Sequence, residues 1–204
     1  MKRRVYVVDD DGAVRQSLRL LLTVQQYAAT SFASGAALVD AMDGLLPGCV
    51  LLDMRMPRVD GTAVLDCLSK RDPPLPTVVM TGHGDVSIGL TALQGGALGF
   101  LEKPFTKAAL LAALHTAFLK LEAPEEYDRR LREAVARIDT LVPHQRHMLA
   151  QLAAGHTNET MSRTMNLDPA SVEIERTRLL NAMGVLHLHD ALRIAFAGGY
   201  GGAA

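Results

Sequence analysis

Tryptophan is absent from this sequence, and Tyr and Phe together supply only 4% of its 204 residues. Its core must therefore be aliphatic, which suits a helix-rich chain dominated by Leu and Ala. Only two cysteines occur. Cys49 lies in an apolar run and Cys67 in a helical pattern, with no ligand-like spacing around either, so both read as reduced core thiols. Long apolar runs are missing too: Val5 to Val8 is followed at once by Asp9, Asp10 and Asp11. That run is too short for a signal peptide, and nothing approaches the ~20 apolar residues of a membrane span. A cytoplasmic protein with no membrane partner is expected. An excess of either charge is also lacking, with 21 Lys and Arg against 22 Asp and Glu, so no global field points to nucleic acid.

What is present falls into two halves, each near the ~100 residues of a small domain. The first half alternates short apolar runs with helical patterns, the signature of a parallel sheet wrapped by helices. Strands are expected at Val5–Val8, Thr30–Ala33, Cys49–Leu52, Thr77–Met80 and Ala97–Leu101. Between and after them, stripes such as Val14, Leu18, Leu21 and Leu22 recur at helical spacing. Five strands and five helices in strict alternation predict an α/β, doubly wound, flavodoxin-like (βα)5 domain over residues 1–122. Residues 123–140 read as a charged linker helix with one narrow apolar seam, Tyr127, Leu131, Val135 and Ile138. From residue 141 to 204 only helices are signalled: Pro143 to Ala154, Asn158 to Met165, Pro169 to Met183 behind the cap Asp168, and Leu188 to Ala197. Helix, short turn, helix within an all-α four-helix unit is the layout of a helix-turn-helix reader.

Open parallel sheets bind ligands outside the carboxyl ends of their strands. Here those ends carry Asp9 and Asp10, Asp53, Thr81 and Lys103. Three carboxylates in one crevice repel unless a cation shares it, and hard oxygen donors favour Mg²⁺. A carboxylate beside Mg²⁺ and an ammonium can attack a phosphoryl group to give an aspartyl phosphate. A phosphatase with an aspartyl nucleophile would need an acidic residue two positions further on, where Arg55 stands, so an enzyme is not expected. His83, in a Gly-flanked loop, reads as a surface or packing histidine and is left out of the site.

The stretches Val-Val-Asp9-Asp10-Asp11, Leu-Leu-Asp53-Met-Arg-Met-Pro57, Asp60-Gly61, Met-Thr81-Gly-His-Gly84 and Phe100-Leu-Glu-Lys103-Pro104 together resemble the receiver domain of two-component signalling. By that resemblance Asp53 is the phosphoacceptor, and Asp10 with Asp53 holds Mg²⁺, helped by Asp9 through water and by the carbonyl of Arg55. Thr81 would bond the phosphoryl group, Lys103 would neutralise it, and Phe100 would change rotamer as Thr81 moves. The implied partners are a sensor histidine kinase and, when phosphorylated, a second copy of the chain as a homodimer.

Leu141, Pro143, Leu149, Ala154-Gly155, Thr157-Asn158, Pro169, Val172, Arg176 and Met183 resemble the LuxR-type output domain. The two-domain layout resembles the FixJ and NarL branch of response regulators. The family pattern turns Glu173, Ile174 and Thr177 toward base edges, and Ser171, Arg176 and Arg178 are candidates for phosphate contacts. The family's usual Lys is replaced by Glu159, its Arg by Ala170, its His or Tyr by Glu175 and its Lys near the helix end by Ala182. From Pro143 onward five arginines face five carboxylates. Phosphate contacts supply most non-specific DNA affinity, so two outputs follow: a DNA-binding transcription regulator, or a degenerate helix-turn-helix that signals by protein–protein interaction.

Overall fold

The computed structural model describes residues 2–56, 61–82 and 86–200, with Val86 described by its backbone alone. Pro57, Asp60, His83, Gly84 and the last residues of the Gly-rich tail lie outside that set. The chain divides into two compact units, Met1–Tyr127 and Asp128–Ala204.

In the first unit the strands are β1 (Arg4–Val8), β2 (Ala28–Phe32), β3 (Cys49–Asp53), β4 (Thr77–Thr81) and β5 (Gly99–Glu102). All pair in parallel in the order β2-β1-β3-β4-β5. The strand order reverses between β1 and β3, where open sheets of this kind form their binding crevice. Every residue of β3 and β4 is buried, as continuous apolar runs in a sheet covered on both faces require. The alternating helices are α1 (Gly12–Val24), α2 (Gly35–Ala41), α3 (Gly61–Ser69), α4 (Val86–Gln94) and α5 (Lys107–Glu122).

Two strands differ from the sequence expectation. β2 begins at Ala28, not Thr30, because its register follows β1 from Arg4↔Ala28 to Val8↔Phe32. It is a half-buried edge strand, so its apolar signal is weak. β5 starts two residues later than expected and runs to Glu102, which pairs with Thr81. Side-chain caps fix the helix starts: Asp11 for α1, Ser34 for α2 and Thr106 for α5. The aliphatic core includes Leu22, Leu51, Met80 and Leu114. At its edge Tyr27 stacks on Phe118 at 5.7 Å between ring centroids, and Arg3 lies over the Phe118 ring and binds Glu122.

Helix α6 (Pro124–Ala136) spans the division between the units, and a 3-10 turn over Arg137–Thr140 follows it. The second unit then contains α7 (Pro143–Ala153), α8 (Asn158–Met165), α9 (Pro169–Met183) and α10 (Leu188–Ala197). Thr157 and Asp168 cap α8 and α9 through their side chains, and Pro169 opens α9. Gly184 ends α9 at φ 69°, a left-handed conformation in which a Cβ is costly. Leu149, Met161, Val172, Leu179 and Leu192 form the buried centre. No described helix is long and apolar enough to cross a membrane.

Candidate phosphoryl-transfer site and nucleic-acid interface

The carboxyl ends of β1, β3, β4 and β5 converge as the alternation predicts. Asp9 is 1% exposed and Asp53 5%, so both carboxylates are withdrawn from water. Lys103 Nζ bridges them, 2.7 Å from Asp9 Oδ2 and 3.2 Å from Asp53 Oδ2. Its position is set by the backbone: the Lys103 N–H donates to Thr81 O at 2.8 Å, directly after the Thr81↔Glu102 pair. The Lys103–Pro104 peptide that follows is cis.

Asp9 is held from several sides. Its Oδ1 accepts from the Asp11 N–H at 2.9 Å, and its carbonyl accepts from Arg15 Nη1 at 2.7 Å. Asp11 itself is taken up by α1, accepting from the Ala13 N–H at 2.7 Å. Arg15 is a supporting residue that the sequence reading missed; an arginine one turn into an amphipathic helix carries no local signal of reaching back to a strand end. Asp53 Oδ1 accepts from the Arg55 N–H at 3.3 Å, so Arg55 meets the site through its own backbone.

Burial pushes the Asp53 carboxyl above its ordinary value, Lys103 pulls it down, and Asp9 adds to the rise. Burial works against the Lys103 ammonium, but its hydrogen bond to Asp9 and the attraction of Asp53 and Asp9 prevail and hold it protonated above the usual lysine range. Cys49 is fully buried, which raises its thiol above the ordinary range, while Cys67 is half-buried instead of lying in the core.

Oxygen atoms of Asp9, Asp10 and Asp53 lie within 4.8 Å of one another, with Asp10 exposed and the other two buried. Three hard donors with one side open to water suit Mg²⁺. Thr81 Oγ1 supplies a second, independent mark of a ligand. It is buried and, among the described residues, has no hydrogen-bond partner. Such an orphan hydroxyl costs about 1–3 kcal/mol unless a bound group satisfies it. Phe100 is buried at 6% exposure, its ring against Gly89 of α4. A cleft of about 560 Å³ between α1 and the turn after β5 opens beside Lys103, lined by Ala13, Val14, Ser17, Pro104 and Phe105.

In the second unit, α9 buries Val172, Leu179 and Met183 and turns Glu173, Ile174, Thr177 and Arg178 outward. Its cations are not free. Arg176 Nη2 lies 2.5 Å from Glu173 Oε2, and Arg178 Nη1 lies 2.5 Å from Glu175 Oε1. Ser171 is half-buried and donates both its N–H and its hydroxyl to the cap Asp168, holding that carboxyl below its usual value. Thr177 Oγ1 donates to Glu173 O at 3.0 Å.

A parallel sheet whose strand ends bring buried carboxylates against an ammonium, followed in one chain by a four-helix unit, defines a response regulator. The response regulator receiver domain family matches residues 5–115, and the bacterial regulatory proteins of the luxR family match residues 139–195. The chain is 35% identical over 198 residues to the transcriptional regulatory protein FixJ of Bradyrhizobium diazoefficiens, covering 97% of both. It is 32% identical to FixJ of Rhizobium meliloti, again over 97% of each chain. Among solved structures, full-length FixJ from B. japonicum aligns with TM-score 0.59 at 35% identity over 98% of both chains. The response regulator StyR aligns with TM-score 0.55 at 28% identity, over 97% of this chain and all of its own. The chain belongs to the FixJ/NarL-type response regulators with a LuxR-type output domain, which are phosphorylation-activated transcription regulators.

Proposed function

We propose that Asp53 is the phosphoacceptor of this regulator and that a sensor histidine kinase supplies the phosphoryl group. An Asp53 carboxylate oxygen attacks the phosphorus of a phosphohistidine; the P–N bond breaks, its electron pair stays on the ring nitrogen, and the ring, already protonated at its other nitrogen, leaves as neutral imidazole. Lys103 balances charge on the phosphoryl oxygens, and Thr81 Oγ1 donates its unused hydrogen bond to one of them. Asp10 and Asp53, with Asp9 through water and the Arg55 carbonyl, would hold Mg²⁺, which supplies further charge neutralisation. The observation that carries this reading is the Lys103 ammonium between two buried carboxylates, beside a buried hydroxyl with no hydrogen-bond partner among the described residues.

Phosphorylation then stabilises one of two pre-existing conformations, in which Phe100 turns with Thr81. The face formed by α4, β5 and α5 pairs two copies into a homodimer. We assign residues 1–122 to the receiver, 123–140 to the linker helix and 141–204 to the output domain. The output reads a two-fold DNA operator in the cytoplasm, with Glu173, Ile174 and Thr177 toward the bases and Ser171, Arg176 and Arg178 toward phosphates. Dimerisation doubles the phosphate contacts of a domain without net positive charge. Regulation of transcription, not catalysis of a metabolic reaction, is the role. Selection of genomic DNA fragments by the protein, with and without phosphorylation, tests it. Enrichment of a two-fold sequence only after phosphorylation is expected. No enrichment beside a working control regulator would move the output to protein partners.

A further inference from the structure

The carboxylate of Glu173 is fixed in a way that gives it a task on DNA. It stands exposed in the second turn of α9, roughly 100° around the helix from the buried stripe of Val172, Leu179 and Met183. Its Oε1 accepts a hydrogen bond from Asn158 Nδ2 at the start of α8, and its Oε2 accepts from Arg176 Nη2 at 2.5 Å. The two helices of the helix-turn-helix therefore hold this one side chain from both sides, yet the side chain remains 47% exposed. Arg176 offsets the charge that would otherwise repel DNA phosphates. An ionised carboxylate offers about four acceptor positions, so these two bonds leave capacity for a further donor. It has no donor to give.

A fixed acceptor of this kind suits a base edge that presents a donor. In the major groove the cytosine amino group does so, and a carboxylate is its usual partner. Adenine presents an amino group beside the N7 acceptor, which a carboxylate repels and an amide can satisfy. We propose that Glu173 selects cytosine at one position of each half-site, with Asn158 and Arg176 as its positioning residues. This rests on the operator-binding reading above.

The test uses the phosphorylated full-length protein and a random DNA library, comparing wild type with Glu173→Ala, Glu173→Gln and Asn158→Ala. These side chains are not part of the buried core, so the variants keep the fold. Wild type should fix cytosine once per half-site. Glu173→Ala should flatten that position alone, a loss of roughly tenfold preference. Glu173→Gln should turn it toward adenine, and Asn158→Ala should blunt it while leaving cytosine first. If Glu173→Ala keeps every preference and only raises affinity uniformly, the carboxylate merely repels phosphate and the inference is overturned. A lost preference for another base overturns it as well. If wild type enriches no sequence, the operator-binding reading fails and this inference falls with it; if wild type enriches a motif that Glu173→Ala leaves unchanged, this inference fails alone.

Discussion

A Cβ built on Gly89 of α4 would lie 2.7 Å from Cδ1 of the Phe100 ring and 2.8 Å from its Cγ. The ring thus occupies the space that any other residue at position 89 would need. Because Cγ sits near the root of the side chain, a methyl group cannot be accommodated by moving the ring's tip alone. Gly89→Ala should therefore lower stability by about 1–2 kcal/mol, since overpacking outweighs the better helix propensity of alanine. Urea unfolding of the full chain measures it. A gain in stability would show that the ring is not held against α4.

Asp53 itself carries a cost in the unmodified protein. Its folded-state carboxyl is held above the ordinary value of 3.8, chiefly by burial. The fold binds that proton more tightly than the unfolded chain does. The penalty is therefore absent below the unfolded value, grows as pH rises toward the folded value, and is complete above it. Asp53→Asn should stabilise the protein at neutral pH and lose that advantage in acid. Thermal unfolding of both proteins across the acid range tests this, and an advantage independent of pH would contradict it.

Histidine 189 gives the second unit the opposite dependence. Burial lowers its ionisation below the ordinary 6.5; Asp190 opposes this, while His187 and Arg193 reinforce it. His187 stacks on His189 at 5.3 Å between ring centroids. Stability is then fully present above the ordinary value and declines as pH falls below it toward the folded value. Urea titrations at about pH 8 and about pH 5.5 should show the decline in wild type and a smaller one in His189→Gln. Equal declines would remove His189 as its source.

Helix α7 lacks a side-chain cap. Val142 occupies its N-cap position in extended backbone and is 55% exposed; its N–H donates to Gln145 Oε1 at 3.3 Å, but its side chain offers no acceptor to the first-turn N–H groups. Val142→Ser supplies the missing acceptor and should stabilise the protein by about 1 kcal/mol. An unchanged unfolding midpoint in urea would show that solvent already serves the end of the helix.

Much of this is legible in the sequence, for reasons that differ by element. α8 and α9 begin where Thr157 and Asp168-Pro169 signal, because capping chemistry is local, whereas α10 starts behind His187 with no side-chain cap. β3 was plain because a strand buried on both faces is a continuous apolar run. β2, half-exposed at the sheet edge, gave a blurred boundary because its register is imposed by β1. Asp9, Asp53, Thr81 and Lys103 could be gathered from the sequence because strand alternation fixes where each must emerge. Arg15 on the Asp9 carbonyl, Gly89 beneath Phe100 and Asn158 on Glu173 could not, since each depends on a packing contact between elements. The same holds for the pairing of Arg176 and Arg178 with their own helix's glutamates, which spacing permits but does not require.

The central claim is that Asp53 takes the phosphoryl group with Lys103 and Thr81 in attendance. Intact-mass measurement after incubation with a small-molecule phosphoryl donor and Mg²⁺ tests it most directly. Wild type should gain one acid-stable, base-labile phosphoryl group, Asp53→Asn none, and Lys103→Met or Thr81→Ala a less persistent or more slowly formed one. Undiminished phosphorylation of Asp53→Asn would contradict the account.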